Sequence, residues 1–147
     1  MRRDDSRPRA RYARPIAVAL VLLVAASTLW ERYTAGPTAE SSIVAAERSR
    51  AQELSVEAAG VVTRLLEDDT QGSRHQRFII RVTPDLTVLV VHNIDLAPRV
   101  PVQEGDSVSL RGDYVWNDRG GLVHWTHHDP AGRHIPGWIE HRGRRYQ

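Results

Sequence analysis

The sequence contains no cysteine and no lysine, so all 20 of its basic residues are arginine. Without cysteine the chain can have no disulfide bond, no thiolate metal site and no cysteine nucleophile. Without lysine it has no Ser-x-x-Lys motif, and it also has no Gly-x-Ser-x-Gly motif and no phosphate-binding loop. The sequence therefore gives no support to the common classes of nucleophilic hydrolase or to P-loop proteins.

The basic residues are unevenly distributed along the chain. Six arginines precede residue 15, against only Asp4 and Asp5, whereas from residue 54 onward there are 11 arginines and 12 acidic residues. The isoelectric point of about 9.5 therefore comes from the N-terminal part. Because a non-specific phosphate binder needs an excess of cations on its own surface, the near-neutral C-terminal part argues against nucleic-acid binding.

The longest uncharged hydrophobic run covers residues 16–30 and is dominated by alanine, valine and leucine. As a helix it spans about 22 Å, less than the ~30 Å hydrocarbon core of a bilayer. Aromatic residues at Tyr12, Trp30 and Tyr33 and flanking arginines extend it into the interfacial zones. We expect a single-pass transmembrane anchor over 16–33, with the basic leader 1–15 in the cytoplasm and everything after it outside the cytoplasmic membrane.

A cleavable signal peptide is the alternative, because a basic start, a short apolar stretch and the small residues Ala25, Ala26 and Ser27 also fit that pattern. The protein would then be secreted or periplasmic. A buried helix of a soluble protein explains a wholly apolar run behind an arginine cluster less well. Residues 34–53 are compatible with helix, and we expect a helical or partly disordered spacer, with a helix packed on the domain as the alternative.

Beyond residue 54 the pattern changes to short β-rich runs separated by turn residues. Five strands are predicted, at 56–66, 75–82, 86–93, 107–116 and 122–128. Gly60 inside the first run indicates a bulge or bend. We expect residues 54–147 to form a mainly β domain, a small five-stranded OB-like barrel. An open sheet or a small sandwich would give much the same alternation.

Three motifs in this domain are more specific. They are His92-Asn93-Ile94-Asp95-Leu96-Ala97-Pro98-Arg99, Gly120-Gly121-x-x-His124-Trp125-Thr126-His127-His128-Asp129-Pro130 and His134-x-x-Gly137-Trp138. Through these motifs residues 56–146 closely resemble an uncharacterised bacterial domain family. The resemblance implies an export or anchor segment followed by one small β domain of unknown function, and it implies no activity.

All seven histidines lie between His75 and His141. Imidazole and carboxylate are the ligands that zinc or copper would use in a site without cysteine. On an extended strand His124 and His128 would point to one face and His127 to the other. The candidate metal ligands are His92, His124, His128, Asp129 and His134. The alternative is that these histidines are structural, at a strand end and in a turn, and no His-Glu-x-x-His motif is present.

A second candidate site is the passage 92–99, in which Asp95 could orient His92 while Arg99 holds a phosphate or carboxylate. Tryptophans could add a stacking surface for bases or sugars. The candidate ligand-binding residues are His92, Asn93, Asp95, Arg99, Trp116 and Trp125, with Trp138 as a further aromatic. The alternatives are that Asn93 and Asp95 bind loop amides, that Arg99 pairs with Asp95, and that the tryptophans pack in the core.

These features favour a membrane-anchored extracytoplasmic binding module for a small molecule, a glycan or a protein partner. One alternative is a histidine-dependent metalloenzyme, a hydrolase or nuclease that uses zinc or copper. Another is an assembly or structural factor of the cell envelope. Bound metal would favour the first alternative, and a co-purifying envelope protein would favour the second.

Overall fold

The protein is described from a computed structural model, which covers residues 39–147 and the side chains from residue 42 onward. In this part the elements are α1 (Ala39–Arg48), β1 (Leu54–Asp69), β2 (His75–Thr83), β3 (Leu86–Asn93), β4 (Ser107–Val115), β5 (Leu122–His124), β6 (Trp138–His141) and β7 (Arg144–Tyr146). The fold is therefore mainly β. The predicted leader 1–15 and the predicted membrane segment 16–33 lie outside the described residues.

All seven strands belong to one mixed sheet, and five of them form a ring of pairings. β1 pairs with β2, β2 with β3, β3 with β5, β5 with β4, and β4 again with β1. Only the β3–β5 pairing is parallel. The hairpin of β6 and β7 extends the sheet from β4.

β1 takes part in two pairings because it is 16 residues long. Its first half pairs with β4 and its second half with β2, and Val61 belongs to both registers. Gly60 lies at this changeover, where a Cβ atom would stand 2.7 Å from the backbone oxygen of Arg81. The strand therefore needs glycine at the position where the sequence predicted a bend.

The core contains residues of the five ring strands together with residues of α1, β6 and β7, and on the ring strands it follows their alternation. On β2 as far as Ile80, and along all of β3, every second side chain is buried, as the period of two for a half-buried strand requires. The largest fully buried apolar side chains are Tyr114, Phe78, Ile43, Ile80, Leu110 and Ile139. Burial raises the pKa of the Tyr114 hydroxyl to about 12, and this hydroxyl donates a hydrogen bond to the carbonyl oxygen of Gly120 (3.1 Å).

Helix α1 packs on the sheet. Ile43 and Ala46 are buried in the same core as the strands, and the Ser42 hydroxyl is hydrogen-bonded to the backbone of Glu57. Residues 39–48 therefore form a helix packed on the domain, which was the alternative to a spacer. No helix within the described residues is long and apolar enough to cross a membrane.

The predicted strand 122–128 was too long, because β5 ends at His124. Trp125 has a φ of 57°, in the left-handed region, where the backbone leaves the extended conformation. The expected alternation of His124, Thr126 and His128 on one face therefore does not hold. The prediction of five strands also missed β6 and β7, which have only four and three residues and are too short to show a pattern.

Candidate functional site

His92, the first residue of the first motif, is fully buried at the end of β3. Its Nε2 atom lies 3.1 Å from the carbonyl oxygen of Pro98, and its Nδ1 atom lies 2.8 Å from the Thr126 hydroxyl. A carbonyl oxygen can only accept, so Nε2 donates and Nδ1 accepts the hydrogen bond that Thr126 donates. Desolvation by burial lowers the pKa of His92 to about 4, so the ring is neutral near pH 7. Its role is to join the first two motifs.

Gln76 makes a similar connection on the neighbouring strand β2. Its side-chain nitrogen donates to the carbonyl oxygen of Val100 (2.7 Å), and its oxygen accepts from the backbone N–H of Val100 (2.9 Å). The side chain is buried, and both of its polar atoms are paired. The loop after β3 is therefore held from inside by two polar side chains, Gln76 and His92.

Two glycines make room for the turn after β5. A Cβ atom at Gly112 on β4 would lie 2.3 Å from the carbonyl oxygen of His124, and a Cβ atom at Gly137 would lie 1.9 Å from that of Trp125. The Gly137 N–H also donates a hydrogen bond to the His127 carbonyl oxygen (2.9 Å). The backbone of residues 124–126 thus fits closely against these two glycines, which explains the glycine of the third motif, Gly137.

Asp129 organises the loop that follows. Its carboxylate accepts hydrogen bonds from the backbone N–H groups of Ala131 (2.9 Å), Arg133 (2.6 Å) and His134 (3.0 Å). These bonds, that of Ala131 first, hold the pKa of the Asp129 carboxyl below its usual value. A carboxylate with three backbone donors is the pattern of a loop-organising residue.

The polar residues of the first motif have comparable structural roles. Asn93 Oδ1 accepts from the backbone N–H groups of Asp95 (2.9 Å) and Leu96 (3.2 Å), as the structural alternative predicted. Asp95 pairs with Arg74, whose backbone N–H is the first cause of the lowered pKa of Asp95.

Arg99 forms its ion pair with Asp68. The expected pairing of Arg99 with Asp95, and the expected orientation of His92 by Asp95, are therefore both wrong. In each case the partner lies on another part of the chain, in the loop before β2 for Asp95 and near the end of β1 for Arg99.

The structure does not gather the candidate metal ligands into one site. Within residues 42–147, no group of three or more histidine, aspartate or glutamate side chains could hold a metal ion. Both nitrogens of His92 and the carboxylate of Asp129 make the hydrogen bonds described above, and His128 is exposed. Only His124 and His134 of the five line one common cavity.

That cavity, with a volume of about 510 Å³, lies on the outer face of the sheet beside the loop after β5. Ser55, Asp113 and His124 stand next to one another across β1, β4 and β5 and form one side of it. Its other lining residues are Glu53, Trp125, Arg133, His134 and Ile135. We call this the His–Trp cavity. Its volume is within the range of pockets that hold small ligands.

Two nitrogen atoms of the cavity residues are buried without a hydrogen-bond partner among the described residues. They are Nε2 of His124 and Nε1 of Trp125. A buried polar atom without a partner costs about 1–3 kcal/mol. Glu53 and Trp125 also have positive φ values, 55° and 57°, which cost non-glycine residues roughly 1–2 kcal/mol each. Unpaired atoms and backbone strain therefore coincide at this cavity, as they do at functional sites.

Aromatic and charged groups meet in the same place. The rings of Trp125 and His134 are 4.2 Å apart between centroids and tilted by 42°. His134 Nδ1 lies 3.6 Å from Asp113 Oδ2, so the two form an ion pair when the imidazole is protonated. Arg133 forms no ion pair with any described side chain, although its charge contributes to the lowered pKa of Asp129.

The three tryptophans of the described region do not form a common stacking surface. The Arg50 guanidinium covers the ring of Trp116 at 4.8 Å, and that of Arg145 covers the buried ring of Trp138 at 4.2 Å. Only Trp125 lines the His–Trp cavity.

Five residues of the cavity were not predicted from the sequence, namely Glu53, Ser55, Asp113, Arg133 and Ile135. For Asp113 a signal was present, since Val108, Leu110 and Tyr114 alternate as inward residues of β4 and leave Asp113 on the outer face. Its alignment with Ser55 and His124 depends on strand register, which the sequence does not reveal.

Comparison with known proteins identifies the family of this chain. No curated protein matches the chain. Residues 22–147 match a family described as "Protein of unknown function (DUF3465)", and this match covers most of the chain, including every described strand. The chain therefore belongs to the DUF3465 family, a domain of unknown function.

Proposed function

We propose that this protein is a non-catalytic binding module whose OB-like β domain holds a small polar ligand in the His–Trp cavity. The N-terminal hydrophobic segment anchors the domain at the cytoplasmic membrane, and the domain lies on the outer side. If the segment is cleaved, the domain is released outside the cytoplasm.

One observation carries the binding role. In the second motif, the cavity-lining residues His124 and Trp125 each have one buried nitrogen, Nε2 and Nε1, without a partner among residues 42–147. The side chains of Thr126 and Asp129, in contrast, are hydrogen-bonded. Because proteins pair nearly all buried polar atoms, unpaired ones in the wall of a cavity suggest that a ligand completes them. Both nitrogen atoms are buried, so a ligand that bonds to them must shift the neighbouring side chains when it binds.

The order of the strand pairings supports the OB-like assignment. A ring of five paired strands, with a long first strand paired to two neighbours, is compatible with a five-stranded Greek-key barrel of this type. The membrane location is supported by the arginine-rich leader and the apolar run of residues 16–30.

The alternative of a zinc- or copper-dependent hydrolase or nuclease has less support. It needs His92 or Asp129 as ligands beside His124, and both residues would have to give up the hydrogen bonds that hold their loops. No observation favours the alternative of an envelope assembly factor.

A fragment screen on the full chain in detergent tests the binding role. We expect chemically diverse small polar fragments to shift the NMR signals of Asp113, His124 and the Trp125 indole N–H, because these groups line the cavity. The variant His124→Leu should weaken these shifts, whereas the matched variant His128→Leu, on an exposed residue of the same motif, should retain them. Fragments that miss the cavity, or that scatter evenly over the surface, would contradict the proposal.

A further inference from the structure

The His–Trp cavity offers hydrogen-bond donors and acceptors in similar measure. Glu53 and Asp113 are carboxylate acceptors, and Ser55 is both donor and acceptor. Arg133 and the Trp125 indole can only donate. A ligand that satisfies this wall must itself carry several groups that both donate and accept, as a hydroxyl group does.

The charges of the cavity argue against a ligand with a single net charge. Counting the histidines as neutral, two carboxylates (Glu53 and Asp113) stand against one guanidinium (Arg133). An anion would meet both carboxylates, and a cation would meet the Arg133 guanidinium, which forms no ion pair with the described side chains. An uncharged polar molecule avoids both conflicts.

The cavity also presents an apolar wall. The rings of Trp125 and His134 form a pair 4.2 Å apart, and Ile135, which is 62% exposed, lies beside them. The face of an aromatic ring carries partial negative charge, which attracts the weakly positive C–H groups of an aliphatic ring. A ligand with one polar edge and one C–H face would therefore fit both walls.

From these observations we infer that the His–Trp cavity binds a pyranose sugar, as part of a glycan or as a free disaccharide. A pyranose carries hydroxyl groups around its edge and C–H groups on its faces, and it has no net charge. A disaccharide is about the size of the ligands that cavities of this volume enclose. This inference rests on the proposed binding function and specifies the ligand class for the same cavity.

The test is an NMR titration of the full chain in a sugar-free detergent, with cellobiose and N,N′-diacetylchitobiose as probes. Inorganic phosphate and choline serve as the charged comparisons. We expect at least one disaccharide to shift the Trp125 indole N–H signal saturably, and both charged probes to leave it unchanged. The signal is assigned with the Trp125→Phe variant, and Trp116→Phe is the matched control because Trp116 lies outside the cavity.

Two variants make the test specific. Asp113→Asn should weaken sugar binding about tenfold or more, because a charged acceptor on the sugar hydroxyls is lost. His128→Asn should leave the affinity unchanged, and a dispersed amide spectrum shows that each variant is folded.

Three results would overturn the inference, and they differ in what they say about the binding function. If one charged probe alone binds, the cavity is a site for that charge and the proposed binding function stands: an anion site if phosphate binds and Arg133→Gln abolishes it, a cation site if choline binds. If fragments bind in the cavity and no sugar does, the sugar class is wrong and the binding function again stands. If neither fragments nor sugars reach the cavity, both fail.

Discussion

Thr126 and His124 lie two residues apart in the same motif, and the structure uses them in opposite ways. The Thr126 hydroxyl is fully buried and donates to His92, which in turn donates to Pro98. The Nε2 atom of His124 is also buried and has no partner among the described residues. The first side chain holds two loops together, and the second lines the His–Trp cavity.

The difference shows that a dense cluster of chemical groups in a sequence can serve two purposes at once. Asp129 and Asn93 organise the backbone of their own loops, and His92 connects the loops to each other. In the same motif, His124 and Trp125 each have a buried nitrogen without a partner among the described residues, and Trp125 has a strained backbone. We therefore expect substitutions of the hydrogen-bonded residues to reduce the stability of the fold. Substitutions of His124 and Trp125 should instead reduce ligand binding.

The largest expected effect is that of Gly137→Ala, because the added methyl group would occupy the space of the backbone turn at Trp125. The new Cβ atom would lie 1.9 Å from the carbonyl oxygen of Trp125, and backbone cannot move aside as a flexible side chain can. We expect a loss of about 3 kcal/mol or more in the free energy of unfolding, measured by urea denaturation.

Gly132→Ala is the matched control for this substitution. Gly132 has a φ of 64°, but nothing lies within 4 Å of its Cβ position. Its loss should be about 1 kcal/mol, from the left-handed backbone alone. Equal losses for the two variants would mean that the turn is not closely packed against Gly137.

The next largest effect is a dependence of stability on pH that comes from His92. The pKa of His92 is about 4 in the folded protein and 6.5 as its ordinary value, so the unfolded chain binds more protons between these two pH values. The contribution of neutral His92 to the free energy of unfolding is fully present above pH 6.5 and is lost as the pH falls from 6.5 to 4. We expect this loss to be about 3 kcal/mol at most, measured by denaturation at several pH values.

The variants His92→Gln and His128→Gln sharpen this prediction. His92→Gln should flatten the slope of unfolding free energy against pH over this interval, whereas His128→Gln, on an exposed side chain, should keep it. The same slope in wild type and His92→Gln would show that His92 does not cause the dependence.

A smaller effect is expected for Thr126→Val, which leaves His92 Nδ1 without its donor while preserving the shape of the side chain. The loss should be about 1–3 kcal/mol, the cost of an unpaired buried polar group. Thr87→Val, on the exposed side of β3, is the control and should stay within about 0.5 kcal/mol of wild type. A Thr126→Val variant as stable as this control would contradict the connecting role of the hydroxyl.

Much of the fold was predictable because the strands of the ring have a clear alternation. β3 begins and ends as predicted, and β2 and β4 differ by one residue at their ends. The end of β5 was not predictable from alternation, because the residues after His124 are polar and aromatic in a pattern that an extended strand would also show. The strand ends where the Trp125 backbone, with a φ of 57°, packs against Gly137, a residue from a later part of the chain.

The candidate site was predictable in part for a similar reason. The sequence identified His124 and Trp125 as candidate site residues, and the structure places both at one cavity with His134. The sequence also identified Asn93, Asp95 and Arg99 as candidate ligand-binding residues. Asp95 and Arg99 have partners that are distant in the sequence. Such pairings depend on strand register and loop path, and neither follows from residue types alone.

The measurement that tests the central claim most directly is the free energy of unfolding of His124→Leu beside that of Thr126→Val. Replacing His124 removes an unpaired buried nitrogen, so His124→Leu should be as stable as wild type or more stable by up to about 1 kcal/mol, while Thr126→Val is clearly less stable. If His124→Leu loses as much stability as Thr126→Val, His124 belongs to the framework, and the division of the motif into paired and binding residues is wrong.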